Sequence, residues 1–267
     1  MSVYCRAKLN YLDGLSTIPV EVEIADGRGA APASWSERGF ELVRHESAVD
    51  DWLSVEKDWL HYEEIGALTR AQTGCDAVIY YPALIRNPES AARFEDLNPV
   101  QFVHSDYTEA YRGMIEDTSH PYHAILAPYL ERAGLDAEAL RSARRVVTLQ
   151  FWRNIGPARM DHPLAFCDAR SVTRDQLHPL LVAEYGGVPT QFHSFGVSAP
   201  KADAPHRWVT FPEMERDEVV VFRAYDSERA EAGQPFWTPH SAFIDPVAGP
   251  DAPTRESIEM RAICLFN

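Results

Sequence analysis

His104 and Asp106 stand in the run Gln101-Phe102-Val103-His104-Ser105-Asp106-Tyr107-Thr108. In an extended chain, residues i and i+2 project to the same side, so an imidazole and a carboxylate would meet there. His240 lies far downstream in Thr238-Pro239-His240-Ser241, and Arg255 and Ser257 follow it. Two imidazoles and one carboxylate can cover one face of an octahedral Fe(II) and leave three positions open. Those positions suit a bidentate 2-oxo acid and dioxygen. The pair alone is common by chance, and a loop histidine beside a turn aspartate is its ordinary explanation. The chain has 10 histidines, so His162, His178, His193 and His206 compete with His240 for the third place.

Arg255-Glu256-Ser257 gives His240 its weight. On a strand, Arg255, Ser257, Glu259 and Arg261 share one face, while Ile258, Met260, Ala262 and Cys264 take the other. An inward arginine is costly unless paired. The distal carboxylate of 2-oxoglutarate matches its guanidinium fork, and the Ser257 hydroxyl could add a hydrogen bond. The competing explanation pairs Glu259 with Arg255 or Arg261 on a solvated strand face. Arg255 and Arg261 both remain candidates for the co-substrate clamp.

Several elements must position these groups. Val20-Glu21-Val22-Glu23-Ile24 alternates apolar and charged residues, the strand period. Ser47 to Asp50 reads as a helix start, with Val49, Trp52, Leu53, Trp59 and Leu60 at helical spacing to about Arg70 and Gly74 as the stop. Residues 77–81 are a strand, and 100–103 a shorter one leading into His104. A helix is expected over Pro121 to Leu130, kinked or broken at Pro128. From about 144 the chain turns strand-rich, with segments at 145–152, 164–168, 190–197, 206–211, 218–225 and 256–266. A short helix is expected over 174–185, before Gly186-Gly187. Many short strands with helices concentrated in the first half suggest a mainly β (α+β) fold, a double-stranded β-helix or jelly roll of cupin type. We expect one domain over 1–267, with 1–98 supplying N-terminal strands and buttressing helices and 99–267 the jelly-roll core.

The bulk numbers narrow the function. The 267 residues are 45% hydrophobic, a globular composition able to bury a core. A formal net charge of −15 disfavours nucleic acid as partner. No apolar stretch approaches a membrane span, and the N-terminus lacks the pattern of a signal peptide. Cys5, Cys75, Cys167 and Cys264 are widely spaced, so buried free thiols in the cytoplasm are expected. A homodimer is left open.

The ordered segments His104-Ser105-Asp106, Phe151-Trp152-Arg153, Asp161-His162-Pro163-Leu164, Arg207-Trp208-Val209-Thr210-Phe211-Pro212, Pro239-His240-Ser241-Ala242 and Arg255-Glu256-Ser257 carry a resemblance. The chain resembles a family of hydroxylases and desaturases of fungal and bacterial secondary metabolism, which includes the fungal gibberellin desaturase. The resemblance runs from about His104 to the C-terminus. It implies a jelly-roll oxygenase dependent on Fe(II), 2-oxoglutarate and O2 that hydroxylates, desaturates or rearranges a small molecule at a C–H bond. It implies His104, Asp106 and His240 as iron ligands, and Arg255 with Ser257 for the co-substrate. Tyr225 could also hydrogen-bond the co-substrate. Gln150, Trp152, Arg153 and Trp208 are candidates for contact with the substrate. Gln150 stands where the family usually has Asn, and Asn154 where it usually has Pro, and both positions are candidates for the pocket wall. Some members carry a methyltransferase label, but no glycine-rich loop here could cradle S-adenosylmethionine. The readings outside this one are a different oxidant at the same iron site, a non-catalytic metal-binding partner in a biosynthetic complex, and a carbohydrate-binding sandwich. The last leaves Arg255-x-Ser257 unexplained.

Overall fold

The computed structural model describes residues 1–29, 33–55 and 59–267. Among these, the strands run in chain order β1 (Val3–Asp13), β2 (Ser16–Asp26), β3 (Phe40–Arg44), β4 (Ala77–Tyr80), β5 (Leu84–Arg86), β6 (His104–Ser105) and β7 (Arg145–Asn154). They continue with β8 (Leu164–Cys167), β9 (Leu177–Tyr185), β10 (Val188–Val197), β11 (Trp208–Thr210), β12 (Glu218–Asp226), β13 (His240–Ala242) and β14 (Ser257–Phe266). They form an eight-stranded sheet, β1-β2-β11-β8-β13-β6-β10-β9, and a six-stranded one, β3-β12-β7-β14-β4, with β5 also on β14. The two sheets enclose the core of a jelly roll, as the strand pattern leads one to expect. The first 98 residues extend both sheets: β1 and β2 join the larger, and β3, β4 and β5 the smaller.

The smaller sheet shows how strand parity divides labour. Phe151, Met260, Ala262 and Cys264 face outward, where Tyr62 and Ile65 of the helix Leu60–Thr73 cover them. Gln150, Trp152, Glu259 and Arg261 take the other face, toward the larger sheet. Gly74 ends that helix with φ 67 and donates its N–H to Arg70 O, a left-handed stop that glycine adopts without a Cβ clash.

Four expectations on local structure are corrected. The helix does not begin at Ser47. It begins after Trp59, whose φ of 60 breaks the helical path. Trp59 is held there by stacking on Tyr62 at 4.0 Å and by Arg132 over its ring. Ser47 instead reaches Glu64 at 2.5 Å. Residues 56–58 of the expected helix lie outside the described residues. The segment 174–185 is a short 3-10 turn followed by β9, not a helix. Gly186 and Gly187 both have positive φ, 59 and 75, the demand of a two-residue hairpin turn. Pairing with β10 therefore overrides the helix-forming residues of β9. The stretch 100–103 is no strand of its own: Phe102 makes an isolated bridge to Asn10, and β6 begins at His104. The helix Pro121–Arg132 runs through Pro128 without a break.

Candidate metal centre and its two cavities

β6 lies between β13 and β10 in the larger sheet, and the register sets His240 directly across from His104. That pairing brings the two imidazoles together from distant parts of the chain, with ring centroids 4.3 Å apart. On the other side, Gly196 is the partner of His104. A Cβ at Gly196 would come within 2.7 Å of Leu180 Cδ1 and 2.9 Å of Phe102 Cζ, so glycine here leaves room for those side chains to close over the strand beside His104. Ser105 points away from the metal side, and its Oγ accepts Thr238 N–H at 3.2 Å. Asp106 therefore returns to the face of His104.

The ligand atoms of His104, Asp106 and His240 all lie within 4.8 Å of one another. Asp106 Oδ1 is 3.9 Å from His104 Nε2 and 3.8 Å from His240 Nε2. Each imidazole is fixed from behind by the carbonyl two residues earlier. His104 Nδ1 lies 2.7 Å from Phe102 O, and His240 Nδ1 lies 3.0 Å from Thr238 O. A carbonyl only accepts, so Nδ1 must carry the proton and Nε2 presents its lone pair. Burial, and then the neighbouring His240, hold His104 down to about 4, so it is neutral near pH 7. Burial alone would raise Asp106, but the Arg261 guanidinium beside it outweighs burial and keeps the carboxylate ionised. The competing histidines are elsewhere: His178 and His193 are exposed on β9 and β10, His162 pairs with Asp161, and His206 packs on Tyr11.

Two cavities share this centre. The narrower is polar and is lined by His104, Asp106 and His240 together with Gln150, Trp152 and Arg255. The larger, of about 460 Å3, is mostly apolar, with walls that include Phe102, Tyr107, Tyr122, Leu180 and Phe192. His104, Asp106 and Arg261 border both. The tyrosine and threonine hydroxyls of the larger cavity are already paired. Tyr107 and Tyr122 bond each other at 2.6 Å, Tyr81 bonds Tyr111 at 3.0 Å, and Thr190 donates to Val182 O at 3.1 Å.

The polar side is the opposite case. Buried side-chain atoms with no hydrogen-bond partner include Asp106 Oδ2, Gln150 Oε1, Trp152 Nε1, Arg255 Nε, Ser257 Oγ and Arg261 Nε. Such atoms are costly in a protein interior. Five of these residues, all but Ser257, line the polar cavity, and their free atoms fit a polar ligand bound beside a metal. Arg255 precedes β14; its backbone N–H is held by Asp161 at 2.9 Å, and its Nη1 donates to His162 O at 3.1 Å. No carboxylate lies within ion-pair distance of it among the described residues. Burial, and then the like charge of Arg86, pull its guanidinium down to about 9, so an anion would be welcome there. The β14 face is thus inward and buried, not solvated. Glu259 does pair with Arg261 and with Arg86, at 3.8 and 3.5 Å.

Other expected site residues fall elsewhere. Tyr225 packs in the core against Tyr111 and Phe236, with ring centroids at 4.9 and 5.5 Å, and lines neither cavity. Trp208 is likewise core, its indole N–H satisfied by Tyr11 at 2.8 Å. Arg153 has the opposite parity from Gln150 and Trp152. It points outward, donates to His45 O at 3.1 Å and lies over Trp52. Gln150 and Trp152 border the polar cavity rather than the apolar one. Asn154 donates to Pro157 O and Met214 O and so ties down a loop. Sequence reasoning missed Arg86, Tyr185 and the aromatic wall. Arg86 and Tyr185 hydrogen-bond each other at the border of the polar cavity. Only topology brings them there, and a lone arginine after a strand gives no signal of it.

Comparison with known proteins agrees with this geometry. Residues 7–265 match the family model described as an oxidoreductase/YMDC permease-like domain. Among the described residues no helix is long and apolar enough to cross a membrane. The chain is 30% identical over 214 residues to the Fe(II)/2-oxoglutarate-dependent dioxygenase nvfI of Aspergillus novofumigatus, covering 80% of this chain and 68% of that protein. It is 27% identical over 237 residues to the alpha-ketoglutarate-dependent dioxygenase phiK of a fungal species, covering 86% and 78%. A solved structure of the iron and alpha-ketoglutarate-dependent endoperoxidase NvfI superposes with a TM-score of 0.79 at 23% identity, covering 100% of this chain and 99% of that one. That superposition establishes a shared fold.

Proposed function

We propose that this chain, which belongs to the Fe(II)/2-oxoglutarate-dependent dioxygenase family, holds its iron on His104, Asp106 and His240 and oxidises a C–H bond of a small, largely apolar metabolite. It is an oxidoreductase that requires Fe(II), 2-oxoglutarate and O2. The observation that carries the site assignment is the meeting of the three ligand atoms beside a cavity of unpartnered polar groups.

When bound, Fe(II) couples the oxidative decarboxylation of 2-oxoglutarate to attack on an otherwise unreactive C–H bond. The chain's residues prepare that chemistry. The Phe102 and Thr238 carbonyls fix the imidazole tautomers. Arg255 and Ser257 receive the distal carboxylate of 2-oxoglutarate, satisfying Arg255 Nε and Ser257 Oγ. Trp152 Nε1–H can donate to the same ligand. Phe102, Tyr107, Tyr122 and Phe192 exclude water and hold an apolar skeleton against the metal side. Because their hydroxyls are already paired, that wall rewards shape rather than charge. The chain works as one domain, a reading supported by the core that its two sheets share, and in the cytoplasm, where four buried free thiols would stay reduced.

The test is succinate formation by iron-loaded protein under air. The wild type should turn over 2-oxoglutarate slowly without substrate, and His240→Ala should not. Equal rates in the two would refute the ligand assignment.

A further inference from the structure

We infer that Arg261 is a positioning residue for Asp106, holding that carboxylate in the orientation that faces the metal side, rather than a clamp for the co-substrate. The inference rests on the ligand assignment above. Asp106 turns its two oxygens to different neighbours. Oδ1 faces both imidazole Nε2 atoms, at 3.9 and 3.8 Å. Oδ2 faces Arg261 Nη2 at 3.6 Å, an ion-pair distance, and has no hydrogen-bond partner. A cation held against Oδ2 fixes which oxygen of Asp106 is turned toward the imidazoles and keeps the carboxylate from rotating away from the metal side.

Arg261 is itself held in place. The same Nη2 lies 3.8 Å from Glu259 Oε1. Glu259 accepts from Gln150 Nε2 at 3.2 Å and lies 3.5 Å from Arg86 Nη2. Arg86 Nη1 is anchored on the carbonyls of Asp96 and Asn98, both at 3.1 Å. A relay of charges therefore runs from rigid backbone to the outer oxygen of the metal ligand. Arg255 is the contrasting case. Its side chain meets a backbone carbonyl and no carboxylate, whereas Arg261 already stands between two. A third carboxylate is better received by Arg255.

The two roles separate in binding measurements. Anaerobic calorimetry with Fe(II) alone, then with 2-oxoglutarate added to iron-saturated protein, is run on the wild type, Arg261→Gln, Arg261→Lys, Arg255→Gln and His104→Ala. Arg261→Gln should weaken Fe(II) binding by about 10- to 100-fold, the usual cost of losing an outer partner of a metal ligand. Its 2-oxoglutarate affinity should be unchanged. Arg261→Lys keeps the charge without the fork and is the variant to read if Arg261→Gln does not fold; its Fe(II) affinity should fall less, with 2-oxoglutarate again unchanged. Arg255→Gln should show the reverse pattern. Normal Fe(II) affinity in the Arg261 variants, with or without a loss of 2-oxoglutarate binding, overturns the inference. If His104→Ala abolishes iron binding in that case, the ligand assignment survives and only the role of Arg261 fails. If His104→Ala also binds iron normally, the ligand assignment itself is wrong.

Discussion

The two cavities that share His104 and Asp106 are built on opposite rules. In the polar one, Gln150, Trp152 and Arg255 each present a buried atom with nothing bonded to it. In the apolar one, the hydroxyls of Tyr107, Tyr122 and Thr190 are already engaged. Unpaired polar atoms specify a ligand by its donors and acceptors, because the wrong ligand leaves them unsatisfied. A wall of aromatic faces specifies only volume and outline. Under the proposed function, the polar side selects the co-substrate by its donors and acceptors, and the apolar side selects the substrate by its outline.

That contrast can be broken from several sides. The largest effect should come from the shared wall. His104→Ala removes a ligand that borders both cavities and should abolish turnover and iron binding, as read by metal content after gel filtration. Next is the polar side. Arg255→Leu deletes a buried charge partner and should weaken 2-oxoglutarate by about 2–5 kcal/mol, roughly 30-fold to several thousand-fold. Fe(II) affinity should not change, which separate titrations would show.

A control away from both cavities should titrate instead. Burial, and then Arg153, hold His61 down to about 3, and burial holds His206 down to about 4. Both are neutral in the folded protein, whereas the unfolded chain protonates near 6.5. Their contribution is complete above pH 6.5 and is lost as pH falls from there toward 4. Each should cost about 1.4 kcal/mol per pH unit over that range. In metal-free protein, His61→Phe should therefore flatten the loss of stability between pH 7.5 and 5, measured by urea unfolding. An unchanged slope would contradict the buried neutral state.

The smallest effect belongs to the apolar wall. Tyr122→Phe removes one hydroxyl pair, costing about 1 kcal/mol of stability and leaving 2-oxoglutarate affinity intact. Its signature is the product ratio with a given substrate, not the co-substrate constant. A large loss of 2-oxoglutarate binding in Tyr122→Phe would erase the distinction between the cavities.

The same contrast governs what the sequence reveals. His104-x-Asp106 and Arg255-x-Ser257 are legible because strand parity is a local rule, and the alternation along β7 and β14 likewise puts Gln150 and Trp152 inside. Parity also assigns Arg153 to the outer face, although a family motif that groups it with Trp152 suggests otherwise. Tyr225 and Trp208 show the other limit: an aromatic residue with a polar tip reads the same in a core as in a pocket. Arg86 and Tyr185 were illegible because β5 and the β9–β10 hairpin reach the site through pairings far apart in sequence. The hairpin itself was hidden by the helix-forming residues of β9, which yield to the Gly186-Gly187 turn and to β10.

The most direct test of the account is an anaerobic titration of the iron-loaded protein with 2-oxoglutarate, followed by visible absorption. A metal-to-ligand charge-transfer band should grow in the wild type, be absent in Asp106→Ala, and require far more 2-oxoglutarate in Arg255→Leu. A folded, iron-loaded wild type that gives no band, or a band indifferent to Arg255, would contradict the assignment of the polar cavity to the co-substrate.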